Sequence, residues 1–287
     1  MDFAAIVVIQ VLYAIASLAL ISLGLAIIFG MMRVINFAHG EFLMLGGYAV
    51  LLPVEAGVNL WLAMLVIAPV TVGLFGIVVE RIIIRPLYGR IVETVLATWG
   101  LSLLMIGLAS EIIGYYQAGA APPLGTVQIG FYREGAYTFF VIGITAVIFV
   151  AVYLFLRRTR FGLIALGTMQ NADMAAALGV NVNRVYAATF GLGAALSGLA
   201  GAIMAPIAGV VPIIGITYIA KAFITVIGGG TVFLAGTAAA SVLFGTITQV
   251  VTFLSTSFGE VALLVVAVVL LHLLPEGITG RFLRRGL

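Results

Sequence analysis

The sequence predicts an all-α protein: a polytopic transmembrane helical bundle of about eight or nine spans, with one short or re-entrant segment and a further helix outside the membrane. Three observations carry that expectation. Of 287 residues, 64% are hydrophobic and 8% charged, whereas about a quarter of the residues of a soluble domain carry charge. Uncharged apolar runs recur from end to end, and a run of about twenty residues crosses roughly 30 Å of hydrocarbon as a helix. The chain also holds 35 glycines, which weaken helices in water but let backbones approach closely in lipid, where packing holds helices together.

The apolar runs are Ile6–Phe29, Val34–Leu52, Leu60–Val79, Thr94–Gly114, Tyr137–Leu156, Val185–Ala208, Gly215–Ile227, Thr231–Leu254 and Val261–Leu274. They follow one another without a domain-sized interruption, so residues 1–287 read as a single transmembrane domain. Met1-Asp2-Phe3 lacks the basic region of a cleavable signal peptide, and the first run is kept as a span. The seventh is short, which suits a tilted half-helix or a re-entrant segment.

Charge gives the orientation. Ten of the 13 basic residues fall in three patches: Arg81, Arg85 and Arg90; Arg157, Arg158, Arg160 and Arg184; Arg281, Arg284 and Arg285. Basic loops face the cytoplasm, and even numbers of spans separate the patches only if the short seventh run crosses. Nine crossings with an external N-terminus result. A net charge of +3 is too small to suggest nucleic-acid binding. Cysteine is absent, and with two histidines and no carboxylates at metal-ligand spacing the chain offers neither a metal site nor a catalytic constellation. No GxxxxGK(S/T) motif is present, so any ATP is hydrolysed by another chain.

Two segments leave the lipid. Tyr115 to Ala136 holds Pro122-Pro123, several glycines and the alternating Thr126-Val127-Gln128-Ile129, which predicts an external loop with room for a short hairpin. Phe161 to Asn183 is polar yet helix-forming from Met169 through Leu178, with a glycine stop at Gly179. That predicts a cytoplasmic helix, either docking into a groove of another protein or lying on the membrane surface as a linker.

Within the spans, polar side chains are the candidates for a translocation path, because ionisable groups at depth are costly and persist where they pair or face water. Asn36, His39 and Glu41 cluster at the start of the second run; Thr94, Thr98 and Trp99 open the fourth; Lys221 and Thr225 lie in the seventh. For His39 and Glu41 the alternative is an interfacial pair capping a helix near Arg33, and for Lys221 a structural ion pair. Gly193, Ser197 and Gly201, with Ala194, Gly198 and Ala202, form two small-residue stripes that predict close helix packing. Gly228-Gly229-Gly230 reads as a turn between half-helices.

Four ordered blocks resemble a known family. They are RFGLIALGTMQNADMAAALGVNVNRVYAATFGLGAALSGLAG (Arg160–Gly201), Gly24–Gly47 with LAIIFGMMRVINFAHGEFLMLGG, ERIIIRPLYGR with ATWGLSL (Glu80–Leu103), and YIAKAFITVIGGG (Tyr218–Gly230). Together they are similar to the permease subunits of ATP-binding-cassette importers for branched-chain amino acids and for urea or amides. The resemblance implies that the cytoplasmic helix is a coupling helix, with Met174, Ala175, Ala176, Leu178 and Gly179 seated in a cleft of the ATPase. It implies no cofactor in this chain, ATP and Mg on partner ATPase subunits, a second permease subunit in a heterodimer, a periplasmic or extracellular solute-binding protein, and residence in a bacterial cytoplasmic (inner) membrane. Thr231-Val232-Phe233-Leu234-Ala235-Gly236 departs from the amino acid branch, and PLYGR and ATWGLSL lean to the urea branch. Lys221 resembles the amino acid branch, where a cation would meet a carboxylate. Composition alone also leaves room for an ion-coupled secondary transporter, with which the coupling-helix resemblance disagrees.

Overall fold

The computed structural model describes residues 2–114, 119 and 121–282. In chain order the helices are α1 (Asp2–Met32), α2 (His39–Glu55), α3 (Leu60–Leu62), α4 (Ala68–Val79) and α5 (Ile91–Ile112), then α6 (Ala136–Arg158), α7 (Arg160–Gln170) and α8 (Ala172–Ala177). There follow α9 (Val182–Ala208), α10 (Ile214–Gly229), α11 (Phe233–Leu254), α12 (Gly259–Leu273) and α13 (Gly277–Phe282). Two π-helical turns, Ala63–Ile67 and Glu80–Ile84, make α3 and α4 parts of one helical stretch, Leu60–Leu87. An antiparallel hairpin, β1 (Thr126–Ile129) and β2 (Tyr132–Gly135), stands where the external loop predicts one, while Tyr115 to Ala118 and Ala120 of that loop lie outside the described residues. So do the side chains of the third basic patch, Arg281, Arg284 and Arg285.

Each of the nine apolar runs falls on one helical stretch. Among the described residues seven stretches have the length and apolarity to cross a membrane; α2, with 17 residues, and α10, with 16, hold the other two runs. The protein is a multi-pass membrane protein with an all-α framework. The second helix starts five residues later than its apolar run, at His39. The seventh run lies on one short, continuous α-helix of 16 residues.

The chain forms two compact units, a larger one of Leu23–Ala120 with Val150–Ala220 and a smaller one of Met1–Ser22, Ala121–Phe149 and Lys221–Leu287. In the larger unit α9 is the central packing element: 78% of its most apolar window is buried, against 39% or less in the other six long stretches. Its small-residue stripes are the reason. Gly193 backs onto Gly24 and Ile28 of α1, Gly201 onto the Leu43 carbonyl of α2, Ala194 onto Gly76 of α4, and Gly198 onto both Gly46 and Val72. A methyl group at Gly201 would overlap the Leu43 carbonyl; two helices at that separation exclude any side chain between them. Phe42 fills the space below, edge-on to Phe75 at 5.9 Å and to Phe190 at 6.0 Å, an arrangement that aligns positive ring edges with negative faces.

The smaller unit has its own core of Leu18, Ala240, Phe244, Leu263, Ala267 and Leu270. Of the three glycines expected to make a turn, Gly228 and Gly229 are helical and only Gly230, with φ +87°, ends α10. The other two are small because α11 is close: Gly228 faces Phe244 and Gly229 faces Gly236. Thr279 staples the turn, accepting from Val232 N at 3.1 Å and donating to the Gly229 carbonyl at 2.6 Å.

At the opposite end of this unit Phe3 meets Tyr132 of the hairpin at 6.3 Å and Phe253 of α11 at 6.4 Å. Gln249 donates to Gln10, which donates to Glu134 of the hairpin. The start of α1 and the end of α11 therefore share a side. Eight apolar stretches, α1 and α11 included, lead from one to the other if α10 crosses and seven cross if it does not, so their proximity favours a crossing α10 and nine spans.

Candidate functional site

The larger unit contains a break in helix where α1 passes into α2. Residues 33–38 are not helical, and Arg33 has φ 54°, the one positive value among described non-glycine residues. Asn36 shapes the turn: its Oδ1 accepts from Ala38 N at 3.0 Å and its carbonyl from His39 N at 3.3 Å, the side-chain mimic of a backbone turn. Thr98 of α5 covers the break, accepting from Phe37 N at 3.1 Å while donating to the Thr94 carbonyl at 2.9 Å. These bonds pair backbone N–H groups that the break frees from the helix.

Just beyond the break His39 and Glu41 are fully buried, as are Asn36 and Thr98. Neither makes a side-chain cap at the start of α2, and Arg33 nearby is exposed; α2 begins later than its apolar run, so its first turn carries both into the protein's packing. His39 Nδ1 lies 3.2 Å from Ser197 Oγ. The Ser197 hydroxyl also lies 2.8 Å from the Gly193 carbonyl, to which it donates. Ser102 of α5 stands beside the Glu41 carboxyl. The first turn of α10 closes on this group, since Gly215 abuts Gly40 so tightly that neither position has space for a side chain.

Two buried polar atoms here have no hydrogen-bond partner, Asn36 Nδ2 and Glu41 Oε2. The first donates and the second accepts, and an unmatched buried polar atom costs its full desolvation. Each could be matched by a water or by a polar group of a small solute. Among the described residues no group of three or more histidine, aspartate or glutamate side chains is placed to hold a metal ion.

The structure thus brings together Asn36, His39, Glu41 and Thr98. Lys221 and Thr225 belong to the smaller unit. Thr225 turns back onto its own helix, donating to the Lys221 carbonyl at 2.8 Å, and Lys221 Nζ pairs with Glu260 Oε1 at 2.6 Å. Lys221 thus has an ion-pair partner, one of the two roles left open for it. Sequence reading placed Ser197 only in a packing stripe and passed over Ser102. It also missed Glu80, a fully buried carboxylate that accepts from Arg85 at 3.1 Å and from the Tyr88 hydroxyl at 2.6 Å. Burial first, then that hydrogen bond, raises the Tyr88 pKa well above its ordinary value and keeps the phenol a donor.

The expected cytoplasmic helix from Met169 to Leu178 is two helices. α7 ends at Gln170, Asn171 turns extended with φ −153°, and its side chain caps α8 by accepting from Met174 N at 2.9 Å. A residue that caps a helix start in this way breaks a helix that would run through it. Gly179, with φ +87°, closes α8 as the glycine signal predicts. Ala175 is buried, while Met174, Ala176, Leu178 and Gly179 are exposed, so α8 offers one free face.

Comparison with known proteins adds to this geometry. The family described as the permease component of branched-chain amino acid transport systems matches residues 7–274. The high-affinity branched-chain amino acid transport system permease protein LivH of Escherichia coli K12 is 29% identical, covering 92% of this chain and 91% of its own. The corresponding protein BraD of Pseudomonas aeruginosa is 30% identical with the same coverage, and a probable LivH of Methanocaldococcus jannaschii is 26% identical. Among solved structures, PsaBC from Streptococcus pneumoniae in complex with Fab shares the fold, with TM-score 0.50 at 15% identity over 92% of this chain and 89% of that one.

Proposed function

The chain belongs to the family of permease components of branched-chain amino acid transport systems, and from that premise we propose that it forms, with a second permease subunit, the membrane path of an ATP-driven importer. The solute is a branched-chain amino acid or a related small molecule, handed over by an external solute-binding protein. ATP and Mg stay on separate ATPase chains in the cytoplasm of a bacterial cell, and the exposed face of α8 is where they push. Residues 1–287 act as one permease domain in the cytoplasmic (inner) membrane.

One observation carries the assignment of a path to this chain: the helix break at 33–38 with Asn36 Nδ2 and Glu41 Oε2 buried and unmatched. A multi-pass chain gains nothing in stability from such atoms, whereas a solute passing in steps needs polar groups that hold it weakly. The Lys221–Glu260 pair supports a second reading within the same family, a neutral amide or urea-type solute, because the lysine is occupied without any solute carboxylate.

Purifying the co-encoded binding protein and identifying its ligand tests the solute class. Leucine, isoleucine or valine is expected; urea or a short amide supports the second reading; a sugar or a metal ion would contradict both.

A further inference from the structure

Two cavities of the larger unit share a wall and differ in chemistry. The first, of about 570 Å³, is lined by Arg81, Arg85 and Arg184 with Asn181 and Asn183. Among the described residues no carboxylate lies within ion-pair distance of Arg81 or Arg184, whereas Arg85 is already paired with Glu80. Two guanidinium groups therefore line the cleft with no described carboxylate paired to them. Asn181 Oδ1 is taken by Arg184 N at 3.1 Å, where it caps α9, so its amide N–H groups are what it presents to the cleft. The start of a 27-residue helix adds its positive end. Everything here suits a phosphate, which guanidinium forks bind in bidentate fashion.

The second cavity, of about 520 Å³, is apolar. Val70, Leu74, Phe155, Phe161 and Leu192 line it, and Ile77 and Ala188 belong to both cavities. From Arg81 back to Val70 the helical rise of about 1.5 Å per residue gives a groove roughly 16 Å long, enough for most of one acyl chain. Polar cleft and apolar groove lie end to end, with the basic end on the side that the positive-inside rule gives to the cytoplasm.

We propose that the two cavities form one site for an anionic phospholipid of the cytoplasmic leaflet, its phosphate on Arg81 and Arg184 and an acyl chain along Val70, Leu74 and Leu192. Charge selects the headgroup, as in basic pockets between helices that hold acidic lipids. The groove selects a lipid over a free phosphate.

Native mass spectrometry of the full chain in detergent, delipidated and titrated with dioleoyl phosphatidylglycerol or dioleoyl phosphatidylcholine, measures this directly. Phosphatidylglycerol should bind in preference. The double variant Arg81→Gln, Arg184→Gln should weaken its first binding step about tenfold, Arg81→Lys with Arg184→Lys should keep most of it, and Leu74→Trp, which fills the groove, should weaken it with the arginines intact. Equal binding of both lipids, or no change in the glutamine variant, overturns the proposal. If glycerol phosphate without acyl chains binds as tightly and Leu74→Trp has no effect, the cleft is a small-anion site and the lipid assignment is wrong. If the glutamine variant instead loses co-purifying ATPase subunits while lipid binding is unchanged, the arginines contact protein, and the proposal is equally overturned.

Discussion

His39 Nδ1 stands 3.2 Å from Ser197 Oγ, joining the first turn of α2 to the middle of α9 inside the larger unit. The contact ties the first turn of α2, which also carries Glu41, to α9. Ser197→Ala should lower stability by about 1 kcal/mol, in the range of single interhelical hydrogen bonds, and should reduce uptake more than stability. Thermal unfolding and uptake measured on the same preparation check this; wild-type uptake in the alanine variant would remove the bond from any functional role.

Close helix approach in the larger unit depends on particular glycines. Gly201→Ala pushes a methyl group into the Leu43 carbonyl and should destabilise by about 1–3 kcal/mol, as overpacking does. Gly107→Ala, whose added methyl meets nothing within 4 Å, should be neutral or slightly stabilising. Equal melting temperatures for the two variants would contradict the packing described for α2 and α9.

Lys221 and Glu260 are 26% and 63% exposed at their side chains, and where water reaches such a pair it contributes about 1 kcal/mol or less. Lys221→Met should leave the melting temperature close to wild type. If the lysine serves only its pair, uptake of the identified solute is unchanged; a tenfold fall in uptake without a stability change would return Lys221 to the path.

The exposed face of α8 predicts a separation of folding from coupling. Ala176→Trp adds a large side chain where α8 is free, so the chain should fold and insert normally. ATPase co-purification, or ATP-dependent transport, should fall at least tenfold. Full transport by this variant would take α8 out of the coupling role.

The spans were legible because lipid demands long, apolar, internally hydrogen-bonded helices, and the nine runs express that demand directly. The late start of α2 was not, since Val34, Ile35, Phe37 and Ala38 keep the segment apolar while Asn36 and Thr98 break it. Asn171 carried the signal for two helices, an asparagine three residues before Met174, but its neighbours are such strong helix formers that the break was hidden. His39 and Glu41 were legible as candidates, and their burial was not, because depth depends on where α2 begins. Ser197 lay inside a stripe of small residues whose packing role was correct and incomplete. Glu80 was masked by Arg81 and Arg85, which read as one basic patch until the structure placed the carboxylate inward.

Transport by the assembled system tests the central claim most directly. Proteoliposomes holding this chain with its co-encoded second permease, ATPase subunits and binding protein should take up the binding protein's ligand only with ATP inside the cytoplasmic compartment. Glu41→Gln should assemble normally and cut that uptake at least tenfold. Uptake by this chain alone, driven by an ion gradient without ATP, would contradict the importer assignment.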